Sequence, residues 1–85
     1  MNLAIDIGNT RTKFSVFNRG EVLITVPVDE FKIEHIDVLK NEHPDLNKVI
    51  LSATKDYSPE LKKALQQNFE QFIELDGNTP LPIEN

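Results

Sequence analysis

The stretch Leu3-Ala-Ile-Asp-Ile-Gly-Asn-Thr10 decides how the rest of this sequence is interpreted. It opens with an apolar run that only Asp6 interrupts and that Gly8 closes, which predicts a first strand over residues 3–7. Lys13-Phe-Ser-Val-Phe17 then alternates polar and apolar residues, as a second strand with one wetter face does.

A third strand follows directly. Asn18-Arg-Gly20 supplies a turn in which Gly20 can take positive φ, and Glu21-Val-Leu-Ile-Thr-Val26 returns from it until Pro27 ends the strand. The first part of the chain therefore predicts a three-stranded antiparallel meander.

Helices and strands alternate in the second part of the chain. The stretch from about Glu30 to Asn41 predicts a helix that Pro44 closes, and Val49-Ile-Leu51 predicts a short buried strand. That strand ends in Ser52-Ala-Thr54, small residues of the kind found where a chain passes close to a ligand or another backbone. The inner face of the helix is predicted to carry Phe31, Ile33, Ile36 and Leu39.

A second helix is predicted to begin at Ser58-Pro59-Glu60, with Ser58 as the N-cap and Pro59 at the first helical position. Phe72-Ile-Glu-Leu75 is predicted to be the last strand. The element order βββαβαβ indicates an α/β domain with a mixed sheet, antiparallel in its first part and parallel in its second. The inner face of this helix is predicted to carry Leu61, Leu65 and Phe69.

Composition limits the class of protein. The 85 residues, 39% of them hydrophobic, suffice for one small domain. A net charge of −5 with scattered lysines and arginines argues against a nucleic-acid partner. No apolar run reaches the roughly 20 residues of a membrane span, and no signal region follows Met1. With no cysteine in the sequence, we expect a soluble cytoplasmic protein without disulfides.

The residues around Asp6 have the chemistry of a phosphate site. Burying an unpaired carboxylate at the end of an apolar strand is costly, so a polar partner or a ligand is expected there. Gly8 lets the backbone approach a bulky anion, Asn9 and Thr10 add polar groups, and successive main-chain N–H groups can form an anion-binding concavity. Because phosphate alone would repel Asp6, this arrangement favours Mg²⁺ between them.

Other interpretations stay open on the residues alone. Asp6–Thr10 could be only a hairpin turn, since Gly and Asn dominate such turns. Lys13 follows on the second strand, on the side of Arg11 and Ser15, and could bring a positive charge to the phosphates.

His35 and His43 are expected at the surface rather than as metal ligands. Lys55 and Tyr57 follow the Ser52-Ala-Thr54 segment and could approach a ligand, because residues after a parallel strand often line a crevice, but they are expected to be solvated loop residues.

A strand ending in Asp-x-Gly, a turn through Asn-Thr and two further antiparallel strands resemble the opening of the actin, sugar-kinase and heat-shock-chaperone ATPase superfamily. Within it, Leu3-Ala-Ile-Asp-Ile-Gly-Asn-Thr-Arg-Thr-Lys-Phe14 resembles the start of type III pantothenate kinases, whose first signature is Asp-x-Gly-Asn-Thr. Ile50-Leu-Ser-Ala53 and Thr79-Pro-Leu-Pro82 are weaker similarities in the same order.

The resemblance implies an actin-like, ribonuclease H-like ATPase domain over residues 1–75, present only as its N-terminal part, with residues 76–85 a linker or the start of a substrate-binding segment. It implies transfer of the ATP γ-phosphate to pantothenate in the cytoplasm, the first step of coenzyme A synthesis, by a homodimer that uses Mg²⁺ and a monovalent cation, K⁺ or NH₄⁺. Asp6 would be the magnesium partner. The implied ATP-binding residues are Asp6, Ile7, Gly8, Asn9, Thr10, Arg11, Thr12 and Lys13, with mainly backbone roles for Arg11 and Thr12.

The sequence departs from the family in one respect. The Gly-x-Asp-Arg motif, which supplies the family's catalytic base, is not among these 85 residues. We therefore expect a fragment that is inactive alone and has no catalytic residue, and that can self-associate through apolar surface. Two alternatives use the same turn: a filament-forming or chaperone-type ATPase with water as the acceptor, and a non-catalytic binding or regulatory module.

Overall fold

The computed structural model describes residues 1–75. The predicted linker at 76–85, and with it Thr79-Pro-Leu-Pro82, lies outside the described residues. The α/β class is confirmed. The elements are β1 (Asn2–Ile7), β2 (Thr12–Asn18), β3 (Glu21–Val28), α1 (Ile33–Glu42), β4 (Lys48–Ala53), α2 (Pro59–Asn68) and β5 (Gln71–Leu75).

The strands form one mixed sheet in the order β3-β2-β1-β4-β5. β1 pairs antiparallel with β2, and β2 pairs antiparallel with β3. On the other side, β1 pairs parallel with β4, and β4 pairs parallel with β5. The crossover helices make the parallel pairing possible, because a parallel neighbour cannot be reached by a tight hairpin. β1 is therefore the central strand, and its carboxyl end meets the carboxyl ends of β4 and β5 at one edge.

The β2–β3 hairpin turns through two residues at positive φ. Gly20 has φ 80°, as predicted, and Arg19 has φ 56°, the combination that a two-residue type I′ turn requires. The prediction that β3 stops before Pro27 was wrong, because the strand continues to Val28. β3 lies at the sheet edge, where a residue without an N–H costs no ladder hydrogen bond.

Side-chain alternation divides the sheet into two faces. One face, here called the core face, carries the buried residues of β1, β2 and β4 and packs against α1 and α2. The opposite face, here called the open face, has no helix on it among residues 1–75. By strand register it carries Ala4 and Asp6 of β1, Lys13, Ser15 and Phe17 of β2, Thr25 of β3, Ile50 and Ser52 of β4, and Ile73 and Leu75 of β5.

Helix α1 begins later than predicted. Phe31 is buried but precedes the helix, packing edge-to-face on Phe14 with ring centroids 5.4 Å apart. Ile33, predicted to face inward, is 45% exposed, so that prediction was wrong, whereas Ile36 and Leu39 are buried as predicted. His35 is half-buried rather than a plain surface residue, because its ring stacks on Phe31 and its Nδ1 accepts the Lys32 N–H at 2.9 Å.

Helix α2 begins as predicted. The Ser58 hydroxyl accepts the Leu61 N–H at 3.0 Å, and Pro59 occupies the first helical position. Leu61, Leu65 and Phe69 are buried against the sheet. Neither helix of the described part is long and apolar enough to cross a bilayer.

Candidate functional site

The connection from β1 to β2 is a tight turn over residues 8–11. The Gly8 N–H donates to the Arg11 carbonyl oxygen at 2.9 Å, which closes the turn. A Cβ on Gly8 would lie 2.8 Å from that same oxygen, closer than real Cβ atoms approach a backbone oxygen. Glycine is therefore required here by the close approach of two backbone segments. Asn9, Thr10 and Arg11 are exposed around the turn.

Asp6 and Lys13 lie directly opposite each other on β1 and β2, and both are exposed on the open face. The prediction that Asp6 suffers a burial cost was wrong, because alternation along β1 turns its side chain away from the core. Ser52 flanks Asp6 on the other side, through the β1–β4 pairing. Ser15 follows Lys13 on the same face, as predicted. These side chains line a shallow cavity of about 480 Å³.

Two residues of the predicted ATP-binding segment point the other way. Ile7 and Thr12 lie on the core face, with 5% and 3% of their surface exposed. Their side chains cannot join Asp6 and Lys13, so only their main-chain groups are available to a ligand on the open face. The backbone role that the family resemblance implies for Thr12 stays a prediction.

Asp6 is the carboxylate that lines the open-face cavity beside the turn. No three His, Cys, Asp or Glu side chains within residues 1–75 converge as metal ligands. A single exposed carboxylate such as Asp6 fits Mg²⁺, which keeps several waters and takes one or two protein carboxylates with the phosphate oxygens. It does not fit Zn²⁺, whose sites in proteins use three or four protein ligands.

A second cavity of about 400 Å³ lies at the same sheet edge on the core side. Its charged groups include Lys32 and Lys55, but four carboxylates outnumber these lysines. Phosphate groups are therefore better matched by the open face, where Lys13 stands beside the turn. The four carboxylates belong to Asp29, Glu30, Glu34 and Asp56.

The β4–α2 connection contacts the turn from the side of β4. Both the N–H and the hydroxyl of Thr54 donate to the Ile7 carbonyl oxygen, at 2.9 and 3.3 Å. The prediction that Ser52-Ala-Thr54 passes close to another backbone is therefore confirmed. Sequence reasoning did not assign Thr54 to the site. The available signal was the parallel pairing of the two strands, which brings their carboxyl ends together.

Tyr57, in the same connection, was predicted to be solvated and is instead half-buried. Its hydroxyl donates to a Glu74 carboxylate oxygen, and Lys62 Nζ lies 3.1 Å from the other oxygen of that carboxylate. Burial raises the pKa of Tyr57 well above its usual value, and the hydrogen bond to Glu74 and its negative charge raise it further. Lys55 is exposed, as predicted.

Comparisons with known proteins agree with the resemblance in the first residues. No protein-family model matches the chain. A type III pantothenate kinase of Christiangramia forsetii is 33% identical over 88 residues, a match that covers 100% of this chain and 35% of that protein. The chain resembles type III pantothenate kinases along its whole length. The proteins of that name from Bacteroides fragilis and Phocaeicola vulgatus are 31% and 29% identical, each over 85 residues.

The matches to type III pantothenate kinases also show what share of each relative corresponds to this chain. Each of these three covers all of this chain but only 35% of the relative. The chain therefore spans about a third of the length of the curated relatives it matches.

Proposed function

We propose that this chain holds the phosphates of ATP, as part of a protein that transfers the γ-phosphate of ATP to pantothenate. The observation that carries the proposal is the pair formed by Asp6 and Lys13, exposed on one face beside a turn closed by Gly8. The names of the relatives, similar over the whole chain, support the substrate.

The proposed role of these groups is electrostatic. Lys13 brings a positive charge toward the phosphates, and the N–H groups of Asn9 and Thr10 offer further donors. The Gly8 N–H closes the turn by donating to the Arg11 carbonyl oxygen, so Gly8 contributes the close backbone approach and not a donor. The Asp6 carboxylate would repel a bare phosphate, so its proposed task is to hold magnesium-bound water or the ion itself. When bound, Mg²⁺ supplies charge neutralisation on the β- and γ-phosphates.

Other parts of the proposal rest on the resemblance. They are an actin-like ATPase fold for residues 1–75, a monovalent cation, a homodimer of the full-length protein and a cytoplasmic location. The chain alone is proposed to bind nucleotide without phosphorylating pantothenate, because no Gly-x-Asp-Arg segment occurs in its 85 residues. The catalytic base that activates the hydroxyl group of pantothenate would then come from elsewhere in a longer protein.

The experiment is a calorimetric titration of the chain with ATP, in the presence of magnesium and in the presence of a chelator. We expect the chain to bind weakly, and roughly tenfold more tightly with magnesium, which corresponds to about 1.4 kcal/mol. Asp6→Ala is expected to remove this difference. Asp37→Ala, which deletes an exposed carboxylate on α1, is the matched control and should titrate like the unmodified chain.

Unchanged magnesium dependence in Asp6→Ala would remove Asp6 from its assigned role. Absence of ATP binding to the unmodified chain under either condition would contradict the proposal as a whole. The same samples, incubated with pantothenate, should yield no phosphopantothenate. Product formation in proportion to the amount of the chain would show that the chain is active alone.

A further inference from the structure

The peptide unit between Ile7 and Gly8 is held at both of its ends. Its carbonyl oxygen, on Ile7, accepts the N–H and the hydroxyl of Thr54. Its N–H, on Gly8, donates to the Arg11 carbonyl oxygen. Because the peptide unit is planar, fixing both ends fixes its rotation about the chain axis. The directions of the next amides, on Asn9 and Thr10, depend on that rotation.

The backbone around Thr54 is held by contacts on both sides along the chain. The residue before it, Ala53, is paired with Ile7 across the parallel β1–β4 ladder. Beyond it, the connection is fastened by the bond from Tyr57 to Glu74 and by the Ser58 cap of α2. The connection over residues 54–58 is therefore anchored at both ends. Thr54 presents its two donors to the turn from a supported backbone.

We propose that Thr54 is a positioning residue for the turn over residues 8–11, acting through its hydroxyl. The Thr54 N–H bond extends the ordinary strand pairing and any residue except proline could make it. The hydroxyl bond to the same oxygen is specific to a residue with a short hydroxyl side chain. The consequence for nucleotide binding rests on the proposed function, whereas the consequence for the turn itself does not.

The test compares three variants by amide hydrogen exchange. Thr54→Val keeps the side-chain shape and the main-chain bond but removes the hydroxyl, and should speed exchange of the Gly8 amide roughly threefold, the size of one exposed neutral hydrogen bond. Thr54→Ser restores a hydroxyl and should exchange at the original rate. Thr25→Val is the matched control, since it removes an exposed threonine hydroxyl bonded to Ser15 Oγ at 3.0 Å, away from the turn.

An unchanged Gly8 rate in Thr54→Val, with exchange elsewhere in β1 and β2 also unchanged, would overturn the proposal. So would equal acceleration in Thr54→Val and Thr25→Val, which would indicate general loosening of the sheet. Affinity for Mg-ATP should fall by a similar factor in Thr54→Val alone. If the unmodified chain binds no ATP, the proposed function fails, while the exchange result still decides the role of Thr54.

Discussion

The turn after β1 depends on the absence of a side chain at Gly8. Alanine at this position would place its Cβ 2.8 Å from the Arg11 carbonyl oxygen, so the bond that closes the turn must open or the two backbones must separate. We expect Gly8→Ala to lower the free energy of unfolding by about 1 to 3 kcal/mol, the usual cost of forcing atoms into a packed site. Urea unfolding measures this loss, and affinity for Mg-ATP should fall with it.

Gly20→Ala is the matched control for that prediction. A Cβ at Gly20 meets nothing within 4 Å, but the residue has φ 80°, so alanine there is strained by about 1 to 2 kcal/mol without disturbing the phosphate turn. This variant should lose stability and keep its affinity for ATP. If Gly8→Ala binds Mg-ATP as the unmodified chain does, the turn is not the phosphate site.

Residue types predicted part of this site and could not predict the rest. Asp6, Gly8 and Lys13 stand out in the sequence because their chemistry suits phosphate and because they are close along the chain. The exposure of Asp6 could not be predicted, since it depends on which face of the sheet the helices cover. Thr54 could not be assigned, because its contact with Ile7 spans 47 positions in the sequence and exists only once the two strands pair.

Among the elements, those with local signals were predicted closely. Ser58 and Pro59 mark the start of α2 by hydrogen bonding and by fixed φ, neither of which depends on the rest of the fold. The end of β3 and the start of α1 were misplaced for tertiary reasons. Pro27 is tolerated within a strand only because that strand is at the edge, and Phe31 is buried outside the helix because it packs on Phe14.

The β4–α2 connection is joined to β5 by the hydrogen bond from Tyr57 to Glu74. Removing the hydroxyl in Tyr57→Phe should lower the free energy of unfolding at neutral pH by about 1 kcal/mol, the net value of a partly exposed hydrogen bond. Because folding raises the pKa of Tyr57, this contribution is complete below pH about 10, where the tyrosine of the unfolded chain is also protonated. It is lost as the pH rises further.

Urea unfolding at neutral and alkaline pH measures both effects, and Tyr57→Phe should show the flatter pH dependence. Tyr57 is the chain's one tyrosine, so tyrosinate absorbance reports its titration directly. Lys62→Met is the comparison variant. It removes an exposed ion pair to the same carboxylate and should cost under about 0.5 kcal/mol. A native tyrosine that titrates at its ordinary pKa would contradict this account of the connection.

Over residues 1–75 the sheet has one face covered by helices and one open face, and the open face carries both polar and apolar side chains. Asp6, Lys13 and Ser52 lie on it near the turn, and Phe17 lies on it at the other end of β2. Ala4, Ile50 and Ile73 form an apolar area on its parallel half. Antiparallel sheets often leave one face in water, while parallel sheets are almost always covered on both. The apolar area formed by Ala4, Ile50 and Ile73 is therefore the surface that we propose for self-association of this chain.

In a pure solution the partner for that surface is a second copy of the chain. We expect sedimentation velocity to show a monomer–dimer equilibrium with a dissociation constant on the order of 100 μM, because one half of a small sheet face is at the low end of interface sizes. Ile73→Lys places a charge on this face, where Ile73 is 37% exposed, and should leave only monomer. Val38→Lys is the matched control, since Val38 is a 53% exposed β-branched residue on α1, away from the open face, and its substitution should leave the equilibrium unchanged. A monomer at every concentration of the unmodified chain, or equal weakening by both lysines, would exclude the open face as the contact, because only a substitution on that face removes apolar area from it.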